Sequence, residues 1–224
     1  SAVNAAKDTF TWAPLTTAVL FTLNDYDQKA LRWATKEKPR YWGLESAKKK
    51  SNELLDALKA NLLISSLAAN ANSDSRLAND LAFQLTAIGI NHVATNTLKQ
   101  VTDRKRIDRE VSDTENDSFP SLHASSSAII TRLTVTNIDR VNISEVQKSL
   151  WKFSTITATA LTGIERVKGK RHYPSDVFAG YALGNFLGIF LTDLFLPQDE
   201  QLPLKINLFV APYGDAMLLL SYRW

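Results

Sequence analysis

HYPSDVFAGYALGNFLGIFLTDLFL, residues 172–196, holds a helix start and a long apolar helix in one stretch. Pro174 suits the first helical turn, where its missing N–H is one that the turn leaves unbonded and its ring presets φ. From Val177 to Leu196 the run is nearly continuously apolar, broken by Asn185, Thr192 and Asp193. Gly180, Gly184 and Gly188 recur at every fourth position, so they share a face on which another helix can approach closely. The run is also long enough for a membrane span. In a chain otherwise so polar, a buried central helix is the expected reading.

Apolar residues repeat at helical spacing on both sides of the chain's middle. Leu54, Leu55, Leu58, Leu62 and Leu63 form one such stripe, Leu77, Leu81, Leu85 and Ile88 a second, and Val146, Leu150, Phe153, Thr157, Ala160 and Ile164 a third. Together they predict several amphipathic helices. No repeat of solenoid length is present. Near the end, Lys205 to Ala211 and Ala216 to Trp224 flank the turn-forming Pro212, Tyr213, Gly214 and Asp215, so a terminal β-hairpin is expected. The fold class is therefore all-α, a single helical-bundle domain over 1–224 with a small C-terminal hairpin. Its parts are an N-terminal helical region (1–50), a helical core (51–197) and the hairpin (202–224).

Bulk properties narrow the function classes. At 224 residues, 45% hydrophobic and 22% charged, the composition is that of an ordinary globular domain. A net charge of +3 with no recognisable nucleic-acid motif argues against DNA or RNA as a partner. With no cysteine, disulfides and thiolate metal sites are excluded. The sequence starts without methionine or the pattern of a signal peptide, which fits a mature exported protein or a trimmed chain. Nothing in it sets an oligomeric state.

Three short blocks carry chemistry. Lys99 and Arg106 stand seven positions apart after a predicted helix; alone, such a pair is most simply a solvated surface. In Phe119-Pro120-Ser121-Leu122-His123-Ala124-Ser125, Ser121 can cap a helix starting near Leu122, where unpaired N–H groups attract phosphate. A plain cap beside a surface histidine is the simpler reading of that block alone. In the third, Glu165-Arg166 precedes His172, and Asp176 falls within the first helical turn, close to His172. A carboxylate there can accept the Nδ1 hydrogen and present Nε2 as a nucleophile.

In this order and spacing, Lys-x6-Arg, Pro-Ser-x-His and Arg-x5-His-x3-Asp, the blocks resemble the three-part signature of the type 2 phosphatidic acid phosphatase and vanadium haloperoxidase superfamily. The resemblance implies that Lys99, Arg106 and Arg166 bind phosphoryl oxygens, with Ser121 and the backbone at Leu122 beside them. It further implies that His172 attacks phosphorus, Asp176 orients it, and His123 protonates the leaving oxygen. No metal is required by these roles. The implied substrate is a phosphate monoester: a lipid phosphate, an isoprenyl diphosphate or a small soluble ester. The implied setting is the bacterial periplasm. Two other readings belong to the same pocket, a haloperoxidase holding vanadate as cofactor, and a retired protein that binds phosphate or lipid without turnover.

Three positions depart from the family pattern. Ile107 replaces a proline, Leu122 a glycine, and Glu165 a serine, the last bringing a negative charge that could lower affinity, pair with an arginine or touch substrate hydroxyls. Two further features invite attention. His92 continues the Leu77–Ile88 stripe towards Lys99 and is expected in or near the core. The stretch Lys29–Lys50 mixes Arg32, Trp33, Lys36, Lys38, Arg40, Tyr41, Trp42 and Lys48 to Lys50, which suits either a solvated helix or peripheral contact with an anionic membrane.

Overall fold

The computed structural model describes residues 1–36, 43–71, 74–107, 117–196, 204–210 and 216–222. The helices are α1 (Ala2–Lys7), α2 (Thr9–Thr22), α3 (Tyr26–Lys36), α4 (Leu44–Ala69), α5 (Asp74–Thr102), α6 (Leu122–Arg140), α7 (Glu145–Lys168) and α8 (Pro174–Phe195). Strands β1 (Leu204–Val210) and β2 (Ala216–Tyr222) pair antiparallel, with Leu204 opposite Tyr222 and Val210 opposite Ala216. The predicted turn residues Pro212 to Asp215 lie outside the described residues.

The bundle is organised on the pair α6 and α8. Helix α6 packs against α4, α5, α7 and α8, while α1 and α2 cover the other side of α8. The glycine stripe explains the closeness of the central pair. A Cβ on Gly184 would lie 2.1 Å from the Ser125 carbonyl oxygen, and one on Gly180 would lie 2.6 Å from that of Ser121. Both distances are below any van der Waals contact, so hydrogen at these positions sets the spacing. On the side of α8 that α1 and α2 cover, Asn185 donates to Asp8 Oδ1 at 2.9 Å and to Thr11 Oγ1 at 2.8 Å, which fixes the α1–α2 junction on α8. The apolar core gathers Leu55, Leu58, Leu62, Phe83, Ala87, Ile129, Ile130, Leu133 and Leu191 from α4, α5, α6 and α8.

The apolar stripe predicted on α7 turns outward, and the one predicted on α5 lies at the edge of the packed face, with Leu77 and Leu81 half-buried and Ile88 against the core. Leu85 on α5 is 69% exposed, and the face of α5 that packs inward carries Asp80, Phe83, Gln84, Ala87, Asn91, Thr95 and Lys99. On α7, Val146, Leu150 and Phe153 are 64–70% exposed, whereas Thr155, Thr162, Gly163, Glu165 and Arg166 are buried. Helix α2 likewise exposes Phe10, Leu15, Val19 and Leu20. Periodicity locates a stripe but does not say which side meets the bundle. Here the polar sides find partners across it: Asn137 donates to Ser65 and Ser66 at 3.0 Å, and Ser66 donates to Gln84 at 2.8 Å. His92 consequently sits on the exposed side, 3.2 Å from Asn96, rather than in the core.

Adding one methyl group at the central contact is expected to be felt. Gly184→Ala should destabilise the fold by about 1–3 kcal/mol through overpacking, measured as a lowered thermal-unfolding midpoint. An unchanged midpoint would mean that α6 and α8 can separate freely.

Candidate active site

One end of the bundle collects all three blocks. Lys99 lies in the last turn of α5, Ser121 and Leu122 at the start of α6, Glu165 and Arg166 in the last turn of α7, and Asp176 in the first turn of α8. Ser121 has extended backbone and is the N-cap of α6, its hydroxyl accepting from Ala124 N at 3.4 Å. The Ser121 N–H in turn donates to the Asp176 carbonyl oxygen at 2.9 Å, so the starts of α6 and α8 are tied together.

His172 is 1% exposed in the turn between α7 and α8. Its Nδ1 lies 2.8 Å from the carbonyl oxygen of Ser118. A carbonyl can only accept, so Nδ1 carries the proton and the neutral ring has its lone pair at Nε2. Burial pushes the imidazole down to about 4; Asp176 pulls the other way, and Arg166 and Lys99 add to the depression. The ring is therefore held neutral and nucleophilic at Nε2.

The expected direct bond from His172 to Asp176 is not the one formed. Asp176 Oδ2 is 3.8 Å from Nδ1, beyond hydrogen-bond range. The carboxylate, fully buried, is occupied elsewhere: Oδ2 accepts from Ser118 Oγ at 2.7 Å and Tyr173 N at 2.8 Å, and Oδ1 from Arg104 Nη1 at 2.6 Å. Asp176 thus orients the histidine through Ser118, whose hydroxyl it receives and whose carbonyl holds the ring. Arg104 also reaches Asp27 Oδ2 at 2.9 Å, and its guanidinium lies 4.4 Å over the Tyr173 ring. Asp27 accepts from Ser175 N at 2.9 Å, which brings α3 into the same network.

Of the three cations expected to bind phosphate, Lys99 and Arg166 are buried close to His172, while Arg106 is partly exposed. Lys99 is 7% exposed and Arg166 6%, and both charges act on the His172 ring. Arg166 Nη1 donates to Ser51 Oγ on α4 at 3.3 Å. His123 Nε2 lies 2.8 Å from Asn52 Oδ1, also on α4. Glu165 is 2% exposed; one oxygen lies 3.6 Å from Lys168 Nζ, and Oε2 has no hydrogen-bond partner among the described residues. The ion pair of this carboxylate is thus with Lys168 rather than with the arginine expected.

Asp117 was not anticipated. Arg106 grips both its carboxylate oxygens, Nη2 donating to Oδ2 at 2.6 Å and Nε facing Oδ1. Lys99 Nζ donates to its backbone carbonyl and lies 3.9 Å from Oδ2. Burial works against the charge of Asp117, but Arg106 and Lys99 outweigh it and hold its carboxyl below the ordinary carboxylate range.

Sequence reasoning also passed over Arg104, Ser118, Ser51, Asn52 and Asp27. Arg104 lay inside the first block, but the seven-residue spacing drew attention to Arg106. Ser51 and Asn52 belong to no block; only the packing of α4 on α6 and α7 delivers them. Of the basic and aromatic stretch Lys29–Lys50, residues 37–42 lie outside the described residues, and Trp33 is exposed.

Known proteins resemble this chain in sequence and in fold. Phospholipid phosphatase-related protein type 1 of Mus musculus is 34% identical over 87 residues, 38% of this chain and 27% of that protein. Type 4 of Homo sapiens is 30% identical over 91 residues, 38% of this chain and 12% of that protein. The chain thus covers 27% or less of the length of these two curated relatives. The crystal structure of a transmembrane PAP2 type phosphatidylglycerolphosphate phosphatase from Bacillus subtilis superposes with a TM-score of 0.67 at 18% identity, over 86% of this chain and 96% of that one. It shares the fold. A family model described as the PAP2 superfamily matches residues 80–198. These residues are more than half of the sequence and contain all three blocks, and the chain belongs to the PAP2 superfamily.

Proposed function

We propose that this chain is a phosphatase that hydrolyses a phosphate monoester through a phosphohistidine on His172. The observation that carries the reading is a buried imidazole with Nδ1–H committed to Ser118 O, beside Lys99 and Arg166. Nε2 attacks phosphorus and the ester oxygen departs with a proton from His123. Water then attacks the phosphohistidine, giving up a proton to His123, and orthophosphate leaves. Lys99, Arg106 and Arg166, with Ser121 and the N–H groups opening α6, stabilise charge on the equatorial oxygens. The donors are cations and backbone, and no group of three or more His, Asp or Glu suited to a metal occurs among the described residues.

A phosphate carried on a lipid is the substrate class favoured here, for a physical reason. Helix α5 has no Asp, Glu, Lys or Arg between Asp80 and Lys99, and α8 none between Asp176 and Asp193. At 1.5 Å per residue these gaps are about 28 and 26 Å long, close to the hydrocarbon thickness of a bilayer. Outward apolar faces on α2, α5 and α7 with polar faces inward suit lipid surroundings. The bundle then sits in a membrane with its site at the surface, where a lipid headgroup lies. The names of similar proteins, a phosphatidylglycerolphosphate phosphatase and phospholipid phosphatase-related proteins, point the same way. An exported setting at the bacterial periplasm is the part of the proposal that rests on resemblance alone.

Three outcomes test the reading. With detergent-solubilised protein and phosphatidate or p-nitrophenyl phosphate, His172→Ala should lose roughly 10⁴-fold or more in kcat, and His123→Ala roughly 10²–10⁴-fold; wild type that binds but never releases phosphate would support the retired reading instead. The attacking ring must be neutral, and burial lowers His172 to about 4. The donor must be protonated, and burial with the charge of Arg166 lowers His123 to about 3. Therefore kcat/KM corrected for substrate ionisation should rise on going from pH 7 to 5 and fall only as pH drops below about 3 to 4. An acid limb centred on the ordinary histidine value of about 6.5 would contradict it. In vesicle flotation the wild type should travel with the lipid, whereas Leu150→Glu with Phe153→Glu should weaken that association; a wild type that stays in the aqueous fraction without detergent would remove the membrane argument.

A further inference from the structure

Two of the three cations assigned to phosphate already hold an anion, and it is part of the chain. Asp117 places both carboxylate oxygens on Arg106 and one of them 3.9 Å from Lys99 Nζ, while its backbone carbonyl takes a hydrogen bond from the same lysine. The side chain is 28% exposed, against 9% for Lys99 and 18% for Arg106, so it closes over the pair from the solvent side. One residue further on, Ser118 holds both His172 and Asp176, which fixes where the Asp117 backbone stands relative to the nucleophile.

We infer that Asp117 is a resident competitor for the phosphate-binding cations, and that it makes the site selective for phosphate dianions over monoanions. The inference rests on the reading of Lys99 and Arg106 as phosphate ligands. A carboxylate carries one charge and two oxygens. A phosphate monoester in its dianionic form carries two charges and three free oxygens, enough to take Lys99 and Arg106 and also to engage Arg166, Ser121 and the N–H groups opening α6. Exchange therefore favours the dianion, which replaces each contact that Asp117 gives up and adds others. A phosphodiester or a sulfate ester has one charge and does not compensate for displacing Asp117. After turnover the same competition works in reverse, since a carboxylate tethered beside the cations reoccupies them as orthophosphate departs. No bond is made or broken in this exchange, and Asp117 touches neither the phosphorus nor the leaving group.

The test is anion binding, which does not depend on turnover. Titration calorimetry on the full chain in detergent, at a pH alkaline enough to make orthovanadate and orthophosphate dianions, would compare wild type with Asp117→Asn and Asp117→Ala, using these two anions and the monoanion dimethyl phosphate. Both substitutions are expected to tighten orthovanadate and orthophosphate binding by roughly tenfold or more, the scale of a charged hydrogen bond. They should also make dimethyl phosphate bind where wild type does not. Product inhibition by orthophosphate should deepen in parallel. Unchanged or weaker binding in the folded variants would overturn the inference and make Asp117 a positioning residue for the two cations. A wild-type structure with orthovanadate decides the matter even if neither variant folds. The Asp117 carboxylate is expected to have left Arg106, and vanadate bound with that ion pair intact would overturn the inference while leaving the phosphatase reading standing. If wild type and variants alike bind none of the anions, the phosphate site itself fails and the competitor role falls with it.

Discussion

The Asp176 carboxylate is the constraint on which the rest of the site depends. It is fully buried and accepts from Arg104, Ser118 and the Tyr173 backbone. A buried charge without such partners is costly, by several kcal/mol, so the three segments that supply them are held together by one requirement. Those segments are the chain after α5, the strand of sequence before α6, and the turn into α8. Each also carries a residue to which the proposed reaction gives a role: Arg106, Ser121 and His172. Satisfying one buried carboxylate therefore assembles the groups that would meet a phosphate.

Through Arg104 the same constraint extends to Asp27 and α3, which no reading of the three blocks included. Its consequence for the nucleophile is indirect. Asp176 holds Ser118, and the Ser118 carbonyl fixes the His172 tautomer. The carbonyl aligns the ring; the Asp176 carboxylate, 3.8 Å from Nδ1, favours a proton on it, but burial outweighs that influence and the ring stays neutral. Helix α4 adds a second layer, with Ser51 on Arg166 and Asn52 on His123. The site is thus shaped by a helix that contributes none of the signature residues.

Polar packing and apolar exposure are two sides of one arrangement in this bundle. Small residues on α6 and α8 bring backbones together, and serine, threonine, asparagine and glutamine side chains on α4, α5 and α6 bond one another inside. The aliphatic stripe of α7, and Leu85, Ile90, Val93 and Val101 of α5, are left facing outward. In water such an arrangement would forgo much of the hydrophobic driving force. In lipid it is the ordinary solution, because packing and internal hydrogen bonds hold helices together there.

The sequence by itself determined the helices, the glycine face of α8, the cap at Ser121 and the identity of nine of the residues gathered at one end. These are local properties: periodicity, capping and motif spacing are written in neighbouring positions. Only the tertiary structure decided which face of α5 and α7 turns inward, since periodicity is the same for a stripe seen from either side. It also decided that Ser118 stands between Asp176 and His172, that Ser51 and Asn52 of α4 meet Arg166 and His123, and that Asp117 rests on Arg106 beside Lys99. Each of these is a contact between segments distant in the chain or set by a loop's path. HYPSDVFAGYALGNFLGIFLTDLFL announced a close-packed helix with a histidine at its start; what that histidine leans on was settled by the folding of other segments around one buried carboxylate.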